Sequence, residues 1–302
     1  MMRFRSFLAA ATLLVTATAL AAPPAALVFM TDFGVKDGAV SAMKGVAFGV
    51  DPNVRSFDLT HEIPPYSIWQ GAYRLSQAAP YWPPGTVFVT VVDPGVGTER
   101  KSVVVRSKTG HYFVGPDNGL YTLVAEKMGV AAVRDIDESK QRLKGSEASH
   151  TFHGRDIFAY VGARLASGKL TFNDVGPARA AEVIRLPHEK SRLEKDETLI
   201  GGIPVLDVQY GNVWSDIGKE LFDALKPKYG DVFLVKISQE GKAVCEIEAP
   251  FVKSFGDVPE GKPLVFLNSQ LEVALAINMG NFAETHKVAG GPEWSMQIRR
   301  KP

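Results

Sequence analysis

Apolar and polar positions along the chain fall into short runs of two kinds. ALVFM (26–30), TVFVTVV (86–92), SVVVRS (102–107) and HYFVG (111–115) are continuous apolar stretches of strand length. Each reads as a strand. Residues 37–49 and IFAYVGARLAS (157–167) place apolar residues at helical spacing instead. Strands alternating with helices predict an α/β domain with a largely parallel sheet over residues 25–185. LPHEKSRLEKDE (186–197) is charged and nearly without apolar residues, so it reads as a linker. Beyond it, IPVLDVQYG, DVFLVKIS, KAVCEIEA and PLVFLNS follow one another with turn residues between them. These predict a β-rich second domain over 198–302.

The N-terminal pattern is different. Arg3 and Arg5 precede an apolar run from Phe7 to about Leu20, which ends in Ala19-Leu20-Ala21. This is the pattern of a signal peptide over residues 1–22, cleaved near Ala21 or Ala22. It predicts an exported protein, periplasmic or secreted, with no membrane segment after cleavage. The run is short for a membrane span of about 20 apolar residues.

Composition narrows the field. The chain has 302 residues, 45% hydrophobic and 22% charged, enough for one large or two ordinary domains with a core. A net charge of +1 gives no electrostatic reason for a nucleic-acid partner. Cys245 is the only cysteine, so the chain can hold neither an internal disulfide nor a cysteine-based metal cluster. Cys245 itself reads as a small buried apolar residue.

Polar residues recur where strands end. Asp32 follows ALVFMT, Asp58 follows VRSF, Asp93 follows VTVV, and Asp117 and Asn118 follow YFVGP. In open α/β sheets ligands bind beyond the carboxyl ends of the strands. One such Asp is an ordinary cap or turn residue, whereas several together point to a site. VVDPGVGTER (91–100) adds Arg100 seven residues after Asp93, across a loop rich in Gly. That pair is either a structural staple or a chemical tool. TFHGRDIF (151–158) adds His153 beside Gly154, where a ligand can approach the backbone closely.

Two chemistries fit these parts. One is a metal hydrolase with Asp32, Asp37, Asp58, His61, Asp93 and His153 as ligands. No HxH, HExxH or DxH spacing supports it, and the acidic groups stand singly. The other is metal-free activation of water: Asp93 takes the water's proton, Arg100 orients it and holds its charge, and His153 completes the network. His61 is expected to hold a loop. Trp69, Tyr73 and Trp82 are expected in core packing rather than around a base.

TDFGVKDGAVSAMKGV (31–46), DLTHEIPP (58–65), PPGTVFVTVVDPGVGTERKSV (83–103), FVGPDNGL (113–120), FHGRDIFA (152–159) and DVQYGNVWSDI (207–217) run through nearly the whole mature chain. In these segments the protein resembles the S-adenosylmethionine hydroxide adenosyltransferases, relatives of the fluorinases and chlorinases. The resemblance implies an N-terminal α/β domain, a C-terminal barrel-like β domain, and a homotrimer with sites between subunits. It also implies hydrolysis of S-adenosylmethionine to adenosine and methionine, with no cofactor. The water-activating residues it implies are Asp93, Arg100 and His153. Asp32 would grip the ribose hydroxyls, Asn212 would read the adenine edge, Asp207 would face the methionine amine, and Ser269 would lie by the methionine carboxylate. The chain departs from the family pattern at Tyr210, Trp214 and Ser215, and in the shorter segment NSQLE (268–272). A non-catalytic adenosyl-ligand binder on the same scaffold is the alternative from another class. A halogenase is disfavoured by the charge of Asp93.

Overall fold

A computed structural model describes residues 25–302; the predicted signal peptide lies outside them. The first half is built on a seven-stranded sheet. Its parallel part is β1 (Leu27–Thr31), β2 (Ser56–Thr60), β3 (Val87–Val91) and β5 (Tyr112–Pro116), with β4 (Ser102–Ser107) between β3 and β5 in sequence. The strand order is β2-β1-β3-β5-β4, continued by β6 (Val130–Asp135) and β7 (Ala178–Arg179). β4 and β7 run opposite to the other five strands, so the sheet is largely parallel, with antiparallel pairings at β5-β4, β4-β6 and β6-β7. The reversal at β4 comes from a tight turn into β5, in which the N–H of Gly110 donates to the carbonyl of Ser107.

β1 and β3 are buried at every position, as their unbroken apolar runs predict. Alternate residues of β1 enter two different layers. Leu27 and Phe29 pack with Met43 and Ala47 of α1 (Ala39–Val50). Val28 and Met30 pack with Leu75 of α2 (Ile68–Ala78) and Val124 of α3 (Thr122–Met128). After the short α4 (Glu138–Gln141), a π-helical turn at Gly154–Ala159 leads into α5 (Tyr160–Ala166), on the α1 side of the sheet. A Cβ added at Gly162 would come within 2.3 Å of Val89, so glycine there lets α5 seat directly on β3.

The second half is two antiparallel sheets over one core. One has β10 (Val205–Asp207), β11 (Asn212–Gly218), β15 (Glu272–Ile277) and β14 (Pro263–Leu267). The other has β13 (Lys242–Pro250), β12 (Val232–Gln239), β16 (Gly291–Arg300), β9 (Leu199–Ile203) and β8 (Arg192–Leu193). Val213, Leu275, Phe233, Val235, Met296 and Ile298 meet between them. β8 lies inside the charged stretch expected as linker. It pairs with β9 through Arg192↔Ile200 and Leu193↔Leu199, so part of that stretch is sheet. Cys245, on β13, is half-buried rather than buried.

α2 joins the halves. Trp69 donates from Nε1 to the carbonyl of Pro204 (3.0 Å), Tyr73 from its hydroxyl to Glu272 (3.0 Å), and Arg74 from Nη2 to the carbonyl of Leu206 (2.8 Å). Tyr73 and Leu123 also pack with Val205, Trp214, Phe266 and Ala274 in a small core shared by both halves. Trp69 and Tyr73 thus serve the seam between halves. Trp82 packs against Phe57 and Phe88 in the first half.

Candidate active site

Thr31 and Val91 are register partners, and the N–H of Asp32 donates to the carbonyl of Val91 (3.3 Å). Asp32 and Asp93 therefore emerge side by side beyond the carboxyl ends of two parallel strands. Asp32 accepts from the N–H of Tyr66 (2.8 Å), whose backbone has φ +66° and whose ring is exposed. His61 braces the neighbouring loop: its Nδ1 bonds the Thr31 hydroxyl (2.8 Å) and its Nε2 bonds Asp58 (3.0 Å), which also accepts from Lys44 (2.6 Å).

After Asp93 the loop closes on itself. Val96 N–H donates to the Asp93 carbonyl (3.2 Å), and Thr98 donates to the Gly95 carbonyl from both N–H (3.1 Å) and hydroxyl (2.7 Å). Gly97 takes φ +77°, which a side chain rarely adopts. The folded loop returns Arg100 to Asp93. Its Nε donates to both carboxylate oxygens (2.9 and 3.0 Å), and its Nη2 donates to Oδ2. Both side chains are buried, Asp93 at 4% and Arg100 at 9% exposure.

Arg100 is shared further. Nη1 donates to the Ser102 hydroxyl (2.7 Å), which donates on to Glu138 (2.7 Å). Nη2 also lies 3.0 Å from Nδ1 of His153, and the guanidinium stacks over the Phe158 ring. His153 stands at the head of the π-helical turn. Its Nε2 lies 3.3 Å from Nη2 of Arg142, which also reaches Glu138 at 3.5 Å. Burial lowers the His153 pKa; Arg100 and Arg142 lower it further, while Glu138 and Asp93 oppose them.

Asp93, Arg100 and His153 are thus brought into one hydrogen-bonded group, with Asp32 emerging beside Asp93. The six residues considered as metal ligands are not brought into one shell. Asp37 caps Ala39 (2.9 Å), Asp58 is bound to Lys44 and His61, and Asp93 faces a guanidinium. Asp117 and Asn118 do not join the site. Asp117 is buried, holding Arg179 and the N–H of Ile184 (2.9 Å), and Asn118 donates to the Val92 carbonyl (2.9 Å). Ser102, Glu138 and Arg142 were not singled out from the sequence. Glu138 and Arg142 stand four apart, the spacing of an ordinary helix-surface ion pair, and carry no distinguishing signal.

Asp207 and Asn212 form a second group. They are register partners across the β10–β11 turn, and Asn212 Nδ2 donates to Asp207 (3.1 Å). Ser269 is exposed in the turn between β14 and β15, where Asn268 accepts from the N–H groups of Gln270 (2.8 Å) and Glu272 (3.0 Å). Neither group shares a hydrogen bond with Asp93, Arg100 or His153 among the described residues.

A cleft of about 1000 Å³ opens elsewhere, between α2 and the C-terminal sheets, with Trp69, Tyr73, His188, Asp216, Glu272 and Trp294 in its wall. Burial pushes the Asp216 carboxyl up to about 6, and nearby Glu272 adds to this against a hydrogen bond from Gly202. Burial also raises Glu272, against its bond from Tyr73. Asp32, Asp93, Arg100, His153, Asp207, Asn212 and Ser269 lie outside this wall.

Residues 27–176 match the SAM hydroxide adenosyltransferase N-terminal domain, and residues 201–295 match the C-terminal domain. A protein of Salinispora tropica named (R)-S-adenosyl-L-methionine hydrolase is 38% identical over 89% of this chain and 97% of its own length. A protein of Actinoplanes sp. named Fluorinase is 28% identical over 88% of this chain and 95% of its own. The crystal structure of an uncharacterized conserved protein from Thermotoga maritima superposes with a TM-score of 0.84 at 36% identity, over 91% of this chain and 100% of that one. With matches through both halves, the chain belongs to the SAM hydroxide adenosyltransferase family.

Proposed function

We propose that this protein hydrolyses S-adenosyl-L-methionine to adenosine and L-methionine. The observation that carries the reading is the buried Asp93 carboxylate, forked by Arg100, touching the His153 network and standing beside Asp32 at the strand ends. The relative named as a hydrolase, 38% identical, supports the same substrate.

In the proposed reaction a water oxygen bonds to ribose C5′ while the C5′–sulfur bond breaks. The bonding pair leaves with sulfur, so methionine departs as a neutral thioether. The water's proton passes to Asp93. A carboxylate offers about four acceptor positions, and the contacts from Arg100 leave room for the water. Arg100 fixes the carboxylate's plane, and positioning in a water-poor site supplies much of the rate. Asp32 takes the ribose hydroxyls. The Asp207–Asn212 pair takes the methionine amine and the adenine edge, and Ser269 the methionine carboxylate. Asn212 already donates to Asp207, which leaves its amide oxygen to accept from the adenine amine.

The halogenase reading loses on charge. At about 4 Å a halide would be repelled by Asp93 with about 4 kcal/mol at an effective dielectric of about 20. The two groups of site residues share no hydrogen bond within one chain among the described residues, which supports a homotrimer that brings them together between copies. Exposed Val35 and Tyr66 near Asp32, and Val208 and Tyr210 beside the Asp207–Asn212 turn, suit such contacts. Arg3, Arg5 and the apolar run after them support export.

Incubating the mature protein with S-adenosylmethionine tests the reaction. Adenosine and methionine are expected in equal amounts by chromatography, with chelator making no difference and added fluoride or chloride giving no halogenated nucleoside. Activity lost in chelator and restored by a divalent ion would favour the metal hydrolase. Light scattering after size exclusion reads the trimer, and N-terminal sequencing of exported protein is expected to find a first residue near Ala22 or Pro23.

A further inference from the structure

We infer that Arg142, together with Glu138, is a positioning residue for the water-activating group, holding His153 as a neutral imidazole beside Arg100. This rests on the proposed role of Asp93, Arg100 and His153, and extends it to a pair that neither the motifs nor the relatives' names assign.

The geometry is restrictive. His153 is 6% exposed, and each of its ring nitrogens faces a guanidinium: Nδ1 at 3.0 Å from Arg100 and Nε2 at 3.3 Å from Arg142. A guanidinium only donates, and it stays charged at any working pH. A protonated imidazole carries N–H on both nitrogens and accepts at neither. Imidazolium would therefore set donor against donor at both ends and add a third positive charge between two others. Neutral imidazole keeps one accepting nitrogen and no charge.

Glu138 ties the arrangement together. It accepts from the Ser102 hydroxyl, which accepts from Arg100, and it reaches Arg142 directly. It also lies 4.0 Å from His153 Nδ1, where its charge acts in the opposite sense to the two arginines. The ionisable groups facing His153 are Asp93 and Arg100 from the loop after β3, Glu138 from α4, Arg142 just after α4, and His150 from its own segment, with ring centroids 6.5 Å apart. Arg155 and Asp156, in the π-helical turn, bond each other. Of the two arginines facing the ring, only Arg100 also binds Asp93. Arg142 can therefore be changed without removing the fork on the carboxylate.

The two members of the pair predict shifts of opposite sign. In full-length mature protein, nitrogen-15 imidazole NMR follows each histidine through a pH titration, with His153→Gln used to assign the His153 signal. Arg142→Gln is expected to raise the His153 midpoint by about one pH unit. Arg142→Lys restores the charge and should return it most of the way. Glu138→Gln is expected to lower it. If turnover needs neutral His153, the acid limb of kcat/KM for S-adenosylmethionine moves in the same directions. An unchanged midpoint in folded Arg142→Gln, or shifts of the same sign in Arg142→Gln and Glu138→Gln, would overturn the inference. Should Arg142→Gln fail to fold, Glu138→Gln carries the test alone, and an unchanged or raised His153 midpoint there overturns the inference. The titration needs no substrate, so a protein that shows these shifts but does not cleave S-adenosylmethionine would sink only the proposed function.

Discussion

The strand ends of the first half and the cleft beside α2 treat sheltered carboxylates in opposite ways. At the strand ends, Asp93 is 4% exposed and carries a guanidinium forked across both oxygens. In the cleft beside α2, Asp216 and Glu272 are partly buried, and neither bonds a cation among the described residues. Asp216 accepts from the Gly202 N–H, and Glu272 accepts from the Tyr73 hydroxyl. Burial then wins, and both carboxyls sit above their ordinary range. The cleft thus holds carboxyls without a cation, whereas the strand ends hold one with a guanidinium built around it.

Substitutions on the two sides separate these roles. The largest effect is expected from Asp93→Asn. Asparagine keeps the shape but cannot take the proton, and general-base assistance is worth about 10²–10⁴ in rate. A loss of at least about a hundredfold in kcat is expected with little change in apparent binding. Because Asp93 also partners buried Arg100, some stability goes with it, so turnover is normalised to the folded fraction from a denaturant melt. An Asp93→Asn protein that folds and turns over at near the wild-type rate would leave VVDPGVGTER as a staple only. Arg100→Ala should cost less turnover than Asp93→Asn, since in the proposed reaction Arg100 holds the carboxylate without accepting the proton. Its stability cost should be the larger of the two, because it strips the counter-charge from a buried carboxylate. Single-turnover rates beside urea melts separate the two quantities.

The cleft side predicts a gain. Folded Asp216 holds its proton up to about pH 6, whereas the unfolded chain releases it near the ordinary 3.8. Over that window the folded state binds more protons, so stability falls as pH rises from about 4 to about 6 and stays lower above. Asp216→Asn removes the penalty while keeping an oxygen for the Gly202 N–H. It should stabilise by about 1–3 kcal/mol at pH 8 and by little at pH 4, read from melts at both values. An equal effect at both pH values would contradict the picture of an uncompensated carboxyl. The smallest effect is expected from Tyr73→Phe, which removes one hydrogen bond at the seam and should cost about 0.5–1.5 kcal/mol with activity retained.

The same contrast separates what the chain's order of residues reveals from what it hides. Unbroken apolar runs such as those ending at Thr31 and Val91 could be read directly, because a strand covered on both faces needs them. The carboxylates just beyond them followed, and so did Arg100, whose return to Asp93 is local. Glu138 and Arg142 were hidden because their spacing is that of any solvated helix pair, and only the chain's return brings them to His153. Asp117 looked like Asp93, at a strand end after an apolar run. Its partner, Arg179, lies 62 residues away on an edge strand and could not be anticipated. The seam was hidden for the same reason: Tyr73 and Glu272 meet across 199 residues. The antiparallel return of β4 rests on the turn at Gly110, not on the hydrophobic pattern.

The π-helical turn beneath His153 has a consequence for how the site tolerates length changes. An α-helix advances about 100° per residue, and a π turn accommodates one residue more than an α turn. Residues on either side of Gly154–Ala159 are therefore out of phase by roughly one such step. α5 is pinned downstream where Gly162 meets Val89, so it cannot rotate to absorb a change. Deleting one residue within the turn would restore α phase and swing His153 by about 100° around the axis, away from Arg100, with every apolar position of α5 still in place. The count of residues between His153 and α5 is therefore fixed by phase rather than by chemistry.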